Sequence, residues 1–249
     1  MAKTSRIYGE IVDIDTSKTI EFYNQRVRNM DSRKEKYTTV LLGDQDPDKA
    51  VKWDAFEKPF ILPKLKLDDS KNVLDLGCGI GRWAETVAPL CNHYTGIDFS
   101  EEMIEYSKNK INRDNCTFIN KAIIDSFSDE NLLKYKYDAV IFTSVAMYIN
   151  DDVLVQCYSK LCNIVNRNAI IYFEESAGVG ERLTLNHIWS ENLNSYYEAI
   201  YRPDQEYLNL MSVLLEKCEI LESGFLRELD TKEQQDTSHW YVILRYNPE

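Results

Sequence analysis

The sequence predicts an α/β fold: a doubly wound sheet of about seven strands, preceded by N-terminal helices and carrying a helical cap insertion. Three observations predict it. Between residues 71 and 174, short apolar runs alternate with amphipathic stretches in the βαβ rhythm of a parallel sheet. One of those runs, Val73-Leu-Asp-Leu76, breaks at once into Gly77-Cys-Gly-Ile-Gly81, the way a buried strand turns into a helix around a ligand. A chain of 249 residues with 44% apolar and 12% aromatic content can bury one large core, and no second domain is required.

Residues 1–70 lack strand alternation but hold two amphipathic segments, 16–29 and 47–62, the second ending near Pro63. They form a helical cap beside or over the ligand site. Residues 71–249 form the core. Its strands are 72–76, 93–98, 117–119, 139–143 and 169–174, with helices over 83–90, 101–111 and 152–164. Ser100 is a good N-cap for the second helix, with Glu101 and Glu102 in its first turn. The segment 175–215 is the insertion, and the apolar runs 218–225 and 240–246 complete the sheet. There is no internal repeat and no low-complexity tract.

The glycines occur as G-x-G-x-G, whereas a dinucleotide site needs G-x-G-x-x-G to aim a helix N-terminus at a pyrophosphate. Asp75, two residues before the first glycine, is a poor neighbour for phosphate and a good acceptor for a cationic or hydroxylic ligand. A second acid, Asp98, closes the next strand, where it faces the ribose of a nucleoside lying across the glycines. With these residues the chain resembles the class I S-adenosylmethionine-dependent methyltransferases, whose first motif reads hydrophobic-Leu-Asp-x-Gly-x-Gly-x-Gly. The resemblance implies a Rossmann-like sheet whose last strand is antiparallel and inserted next to the edge. It implies S-adenosylmethionine as cofactor, S-adenosylhomocysteine as product, and a cofactor site at Asp75, Gly77, Cys78, Gly79, Gly81, Asp98, Phe99 and Met103. Cys78 is read either as a nucleophile or as the small packing residue common there. In many relatives an acid after the third strand meets the adenine amino group. Here Ala122 and Ile123 stand in its place, so either their backbone groups or Asp125 recognise the base.

Tyr137-Asp-Ala-Val-Ile-Phe-Thr-Ser-Val-Ala-Met-Tyr-Ile149 resembles the family's fourth motif, which places Thr143, Ser144 and Tyr148 at the junction of cofactor and acceptor. Tyr148 either orients the acceptor through its hydroxyl or covers the sulfonium with its ring. Asn150-Asp151-Asp152 reads as helix capping rather than a divalent metal site, and no metal is expected.

Methyl transfer from an activated sulfonium needs mainly alignment, with a base where the nucleophile carries an awkward proton. Aromatic and basic residues mark the acceptor side: Tyr23, Arg26, Tyr148, Tyr197, Tyr201 and Arg202 are the candidate acceptor-binding residues, suited to a small polar or anionic molecule. His187, Tyr148 and His239 are the candidate catalytic residues. A net charge of -12 disfavours nucleic acid as the acceptor, and no signal peptide or long apolar span is seen. Six cysteines without C-x-x-C spacing fit a cytoplasmic protein with reduced thiols, monomeric or homodimeric. Glu21-Phe-Tyr-Asn-Gln-Arg26, Trp53-Asp-Ala-Phe-Glu-Lys58 and Tyr197-Glu-Ala-Ile-Tyr-Arg202 resemble methyltransferases of bacterial capsule and lipopolysaccharide pathways. That finer likeness implies O-methylation of a sugar or phosphoryl-linked precursor of a surface glycan. The alternatives are a sugar N-methyltransferase and a non-catalytic S-adenosylmethionine-binding regulator.

Overall fold

A computed structural model of the chain describes residues 5–42, 44–227 and 236–248. Two sheets organise it. The larger contains β2 (Asn72–Leu76), β3 (His93–Asp98), β4 (Cys116–Asn120), β5 (Tyr137–Thr143), β6 (Val165–Gly178), β9 (Cys218–Phe225) and β10 (Thr237–Tyr246), in the order β4-β3-β2-β5-β6-β10-β9. Strands β2 to β6 run parallel, and β10 inserts antiparallel to both β6 and β9. This is the Rossmann-like seven-stranded sheet with an antiparallel strand near its edge. Its central strands read as continuous apolar runs because helices cover both faces; every residue of β3 is buried.

Local signals set the elements that carry the site. The Ser100 hydroxyl accepts from the Met103 N–H at 3.2 Å and starts the helix Glu101–Lys110. Lys108 and Lys110 in its last turn complement the helix dipole. The helix Thr16–Arg28 is capped by Asp15, which accepts from the Ser17 N–H at 3.1 Å. The helix Asp48–Leu65 continues past the expected stop, through Pro59 and Pro63, because Ile61 and Leu65 are buried against the sheet. It ends at Lys66, whose φ is +52°.

Three expectations are corrected. The segment 1–70 does contain a strand, β1 (Ser5–Tyr8), too short to show alternation. The insertion is a sheet where helices were expected: β7 (Leu183–Ser190) and β8 (Ser195–Tyr201) form an antiparallel hairpin to which β1 adds, in the order β1-β7-β8. Its β-branched and aromatic content suits a half-buried pleated surface, and helices begin only at Asp204–Leu210. Finally, β6 reaches Gly178 instead of stopping at 174, so that Glu175 as well as Glu174 lies within the strand. No helix among the described residues is long and apolar enough to cross a membrane.

Candidate active site

At the end of β2 the chain adopts left-handed φ at all three glycines, +81° at Gly77, +53° at Gly79 and +79° at Gly81. Side chains are excluded there by contact as well as by conformation. A Cβ on Gly77 would lie 2.2 Å from Val145 Cγ2, and one on Gly79 2.7 Å from Val40 Cγ1. Gly77, Cys78 and Gly79 line a narrow cavity with Asp98, Phe99, Met103, Ile123, Thr143 and Tyr23. Asp98 joins the turn to β3: its carboxylate accepts from the Gly79 N–H and the Ser100 N–H, each at 2.9 Å. Burial pushes its pKa up to about 6.

Asp75 and Gly81 stand behind this cavity and shape it. Asp75 accepts a short hydrogen bond from the Tyr94 hydroxyl, and burial pushes its pKa up to about 7. Gly81 lets the helix Glu101–Lys110 approach, and the Ser107 hydroxyl donates to the Gly79 carbonyl at 2.9 Å. Cys78 packs on Gly96, where an added Cβ would lie 2.8 Å from its sulfur; burial raises its pKa well up and leaves an unreactive thiol. Ile123 reaches the cavity, but Ala122 is exposed one residue outside it.

The cavity fits the adenosine-bearing cofactor in its chemistry. Val40, Leu41, Met103, Ile123 and Val145 supply apolar walls, and Asp98 supplies the hydroxyl acceptor. The Trp83 indole N–H on the same wall is buried with no partner, a donor left for a ligand. Nearby, Arg82 is held in a buried cluster by Asp54 at 3.1 Å and Glu57 at 2.8 Å.

Ser144 and Tyr148 border this cavity and also a larger cleft of about 730 Å³ between the helix Asp48–Leu65 and the β1-β7-β8 sheet. Tyr197, Tyr201 and His239 line the cleft with them. A chain of hydroxyls crosses the junction: Tyr23 donates to Tyr148 at 2.8 Å, Tyr148 and Tyr197 lie 2.6 Å apart, and Tyr201 reaches Tyr197 at 3.5 Å. His239 Nδ1 lies 3.0 Å from Glu174 Oε1, and the Ser144 hydroxyl donates to Glu174 Oε2 at 2.9 Å. The Trp53 ring meets the His239 ring edge-on at 3.9 Å between centroids.

Of the residues expected on the acceptor side, Tyr23 lines the narrow cavity rather than the cleft, and Arg202, Arg26 and His187 lie elsewhere. Arg202 is fully buried and bonds the Ala146 and Ile149 carbonyls and Asp151. Arg26 holds the Thr38 and Thr39 carbonyls and Asp44. Both guanidiniums are buried, and their fixed forks of donors are satisfied by carbonyls and carboxylates rather than turned to the cleft. His187 sits at an irregularity in β7 with φ +53°, stacked on Tyr196 and 3.5 Å from Glu198, outside the cleft. The capping expected of Asn150 to Asp152 is not what Asp151 does: Asn150 makes no side-chain cap bond, and Asp151, in the first turn of the helix, binds Arg182 and Arg202.

Sequence reasoning missed Glu174, Glu175, Trp53, Lys49 and Lys52. The glutamates had a readable signal, two acids ending the otherwise apolar run Ile170-Ile-Tyr-Phe.

Residues 73–168, which hold the glycine turn, Asp98 and the junction residues, match a family model described as a methyltransferase domain. The chain carries a methyltransferase domain. Together with the glycine turn and its two acids, the match makes S-adenosylmethionine the cofactor of this domain. Malonyl-[acyl-carrier protein] O-methyltransferase of Acetivibrio thermocellus is 27% identical to this chain over 207 residues, 75% of this chain and 65% of that protein. Phosphoethanolamine N-methyltransferase 1 of Zea mays is 26% identical over 129 residues, 51% of this chain and 25% of that protein. The chain thus spans less than two thirds of these relatives. Among solved structures, phosphoethanolamine N-methyltransferase 1 of Haemonchus contortus shares the fold with a TM-score of 0.69 at 18% identity, over 94% of this chain and 49% of that one. The N-methyltransferase NodS of Bradyrhizobium japonicum does so at 0.61 and 14%, over 91% and 99%.

Proposed function

We propose that the protein transfers the methyl group of S-adenosylmethionine to an oxygen of a small polar acceptor, a sugar or phosphoryl-linked precursor of a surface glycan, bound in the 730 Å³ cleft. The observation that carries this reading is the junction, where Ser144 and Tyr148 border both spaces and His239, held by Glu174, borders the acceptor side.

The bound cofactor supplies an electrophilic methyl group. The glycine turn and Asp98 hold its nucleoside end, and Tyr148 stands at the boundary with the acceptor. His239 takes the proton from the acceptor hydroxyl. Glu174 keeps the ring oriented and stabilises the imidazolium that results. Trp53 and the tyrosines exclude water from the junction and offer faces to a sugar ring. On the helix Asp48–Leu65, Lys49 and Lys52 are three positions apart, hence on one face, and both line the cleft, a setting for a phosphoryl group. Asp46 and Glu191 line it too, and they favour a second reading, an amine acceptor, which the phosphoethanolamine N-methyltransferase relatives also suggest.

The test is transfer of labelled methyl from the donor to a panel of hydroxyl and amino acceptors, with and without phosphate. Label on oxygen supports the first reading and label on nitrogen alone the second. Donor binding without transfer to any acceptor counts against both. His239→Gln is expected to lower kcat about 100-fold with donor affinity unchanged.

A further inference from the structure

The turn 144–149 meets both ligand spaces, and its backbone is held from two sides. Ser144 has a φ of +55°, a conformation that a residue with a Cβ keeps only under constraint. Glu174 supplies part of that constraint. Its carbonyl accepts from the Ser144 N–H and its carboxylate from the Ser144 hydroxyl, both at 2.9 Å. The next two N–H groups, of Val145 and Ala146, donate to a single atom, Glu175 Oε1, at 2.6 and 2.5 Å. From the opposite side Arg202 takes the carbonyls of Ala146 and Ile149.

Glu175 is wholly buried, and its other oxygen, Oε2, has no hydrogen-bond partner. A buried carboxyl group with one oxygen unsatisfied is costly to a fold, and its return is the two amides that the other oxygen holds. Its geometric effect is local. Val145, whose N–H it holds, covers Gly77 of the cofactor turn, and Tyr148 follows three residues later at the acceptor boundary.

We propose that Glu175 is a positioning residue for methyl transfer: by fixing Val145 and Ala146 through one carboxyl oxygen, it sets where Ser144 and Tyr148 stand between donor and acceptor. The inference rests on reading the two spaces as the donor and acceptor sites. Burial pushes the Glu175 pKa up, and in either protonation state it is Oε1 that accepts both amides. Glutamine reproduces that arrangement.

The experiment compares Glu175→Gln with Glu175→Met in the full chain, by amide hydrogen exchange and by steady-state kinetics. The Met variant is expected to fold and to exchange faster at Val145 and Ala146. Its kcat is expected to drop roughly tenfold or more while donor affinity changes less, because a small misplacement at the reacting centre costs rate first. The Gln variant is expected to keep slow exchange and most of kcat. Should the Met variant not fold, Glu175→Asp, too short to reach both amides, is expected to show the same losses. Unchanged exchange at Val145 and Ala146 in the Met or Asp variant, or an equal loss of kcat in the Gln variant, would overturn the proposal. Exchange needs no turnover, so a wild-type protein inactive on every acceptor would count against the proposed function while exchange still decides the role of Glu175.

Discussion

Asp98 already serves two backbone amides, Gly79 and Ser100. Each carboxylate oxygen accepts more than one hydrogen bond, so the same group can tie two strand tips together and still receive the hydroxyls of a nucleoside. Asp98→Ala is therefore expected to weaken donor binding by about 1 to 3 kcal/mol, the scale of hydrogen bonds to a charged group, as measured by calorimetry. Affinity equal to wild type would take Asp98 out of the ribose site. Asp75 makes a different prediction. Burial raises its pKa from 3.8 to about 7, so the folded state binds its proton more tightly than the unfolded state does. Its contribution is fully present below about pH 4 and is lost as pH rises towards 7. In Asp75→Asn that loss disappears, and Tm measured for variant and wild type should shift in the variant's favour between pH 4 and pH 7. A difference constant across that window would contradict the buried, proton-binding carboxyl. Arginines show the limit of reading single residues. The sequence reveals a cation at Arg26 or Arg202 but not the carbonyls that surround it after folding.

At the scale of elements, the helix Asp48–Leu65 connects the two halves of the site. Glu57 accepts from the Tyr172 hydroxyl of β6 at 2.9 Å, from the Trp53 indole at 2.9 Å and from Arg82 at 2.8 Å. Removing it in Glu57→Ala leaves a buried guanidinium short of a partner and frees Trp53 from its place beside His239. The expected cost is about 3 to 5 kcal/mol in chemical denaturation. A loss below about 1 kcal/mol would show that Asp54 alone satisfies Arg82. The elements that the sequence disclosed well are those with local signals: the capped helix after β3, the glycine-terminated β2, and the apolar runs of a sheet covered on both faces. The cap did not disclose itself as a sheet, because its strands are half-exposed and one of them is four residues long. Proline misled in the other direction, since burial of Ile61 and Leu65 carries the helix past Pro63.

Across the whole molecule, the proposed donor side is drawn mostly from one stretch of chain, from the glycine turn to Tyr148, so its motifs stand close together in the sequence. The proposed acceptor side brings together Arg6, Trp53, Ser144, Tyr197 and His239, and no local pattern in a single sequence announces such an assembly. Deleting residues 1–8 should test this division. It removes β1 and the Arg6 to Asp236 ion pair at 2.6 Å, so the acceptor KM is expected to rise while donor affinity stays as it was. Equal losses of both would mean that the two sides do not separate in this way. The pairing of Ser5 with Asn186 also bears on how the protein is made. β1 must wait for about 180 residues of following chain before its partner exists, whereas β2 to β5, closer together in sequence, can associate sooner. A nascent chain would therefore become able to bind S-adenosylmethionine before it has anywhere to put an acceptor, and the cofactor, by favouring the folded form, would act as a folding ligand before it acts as a substrate.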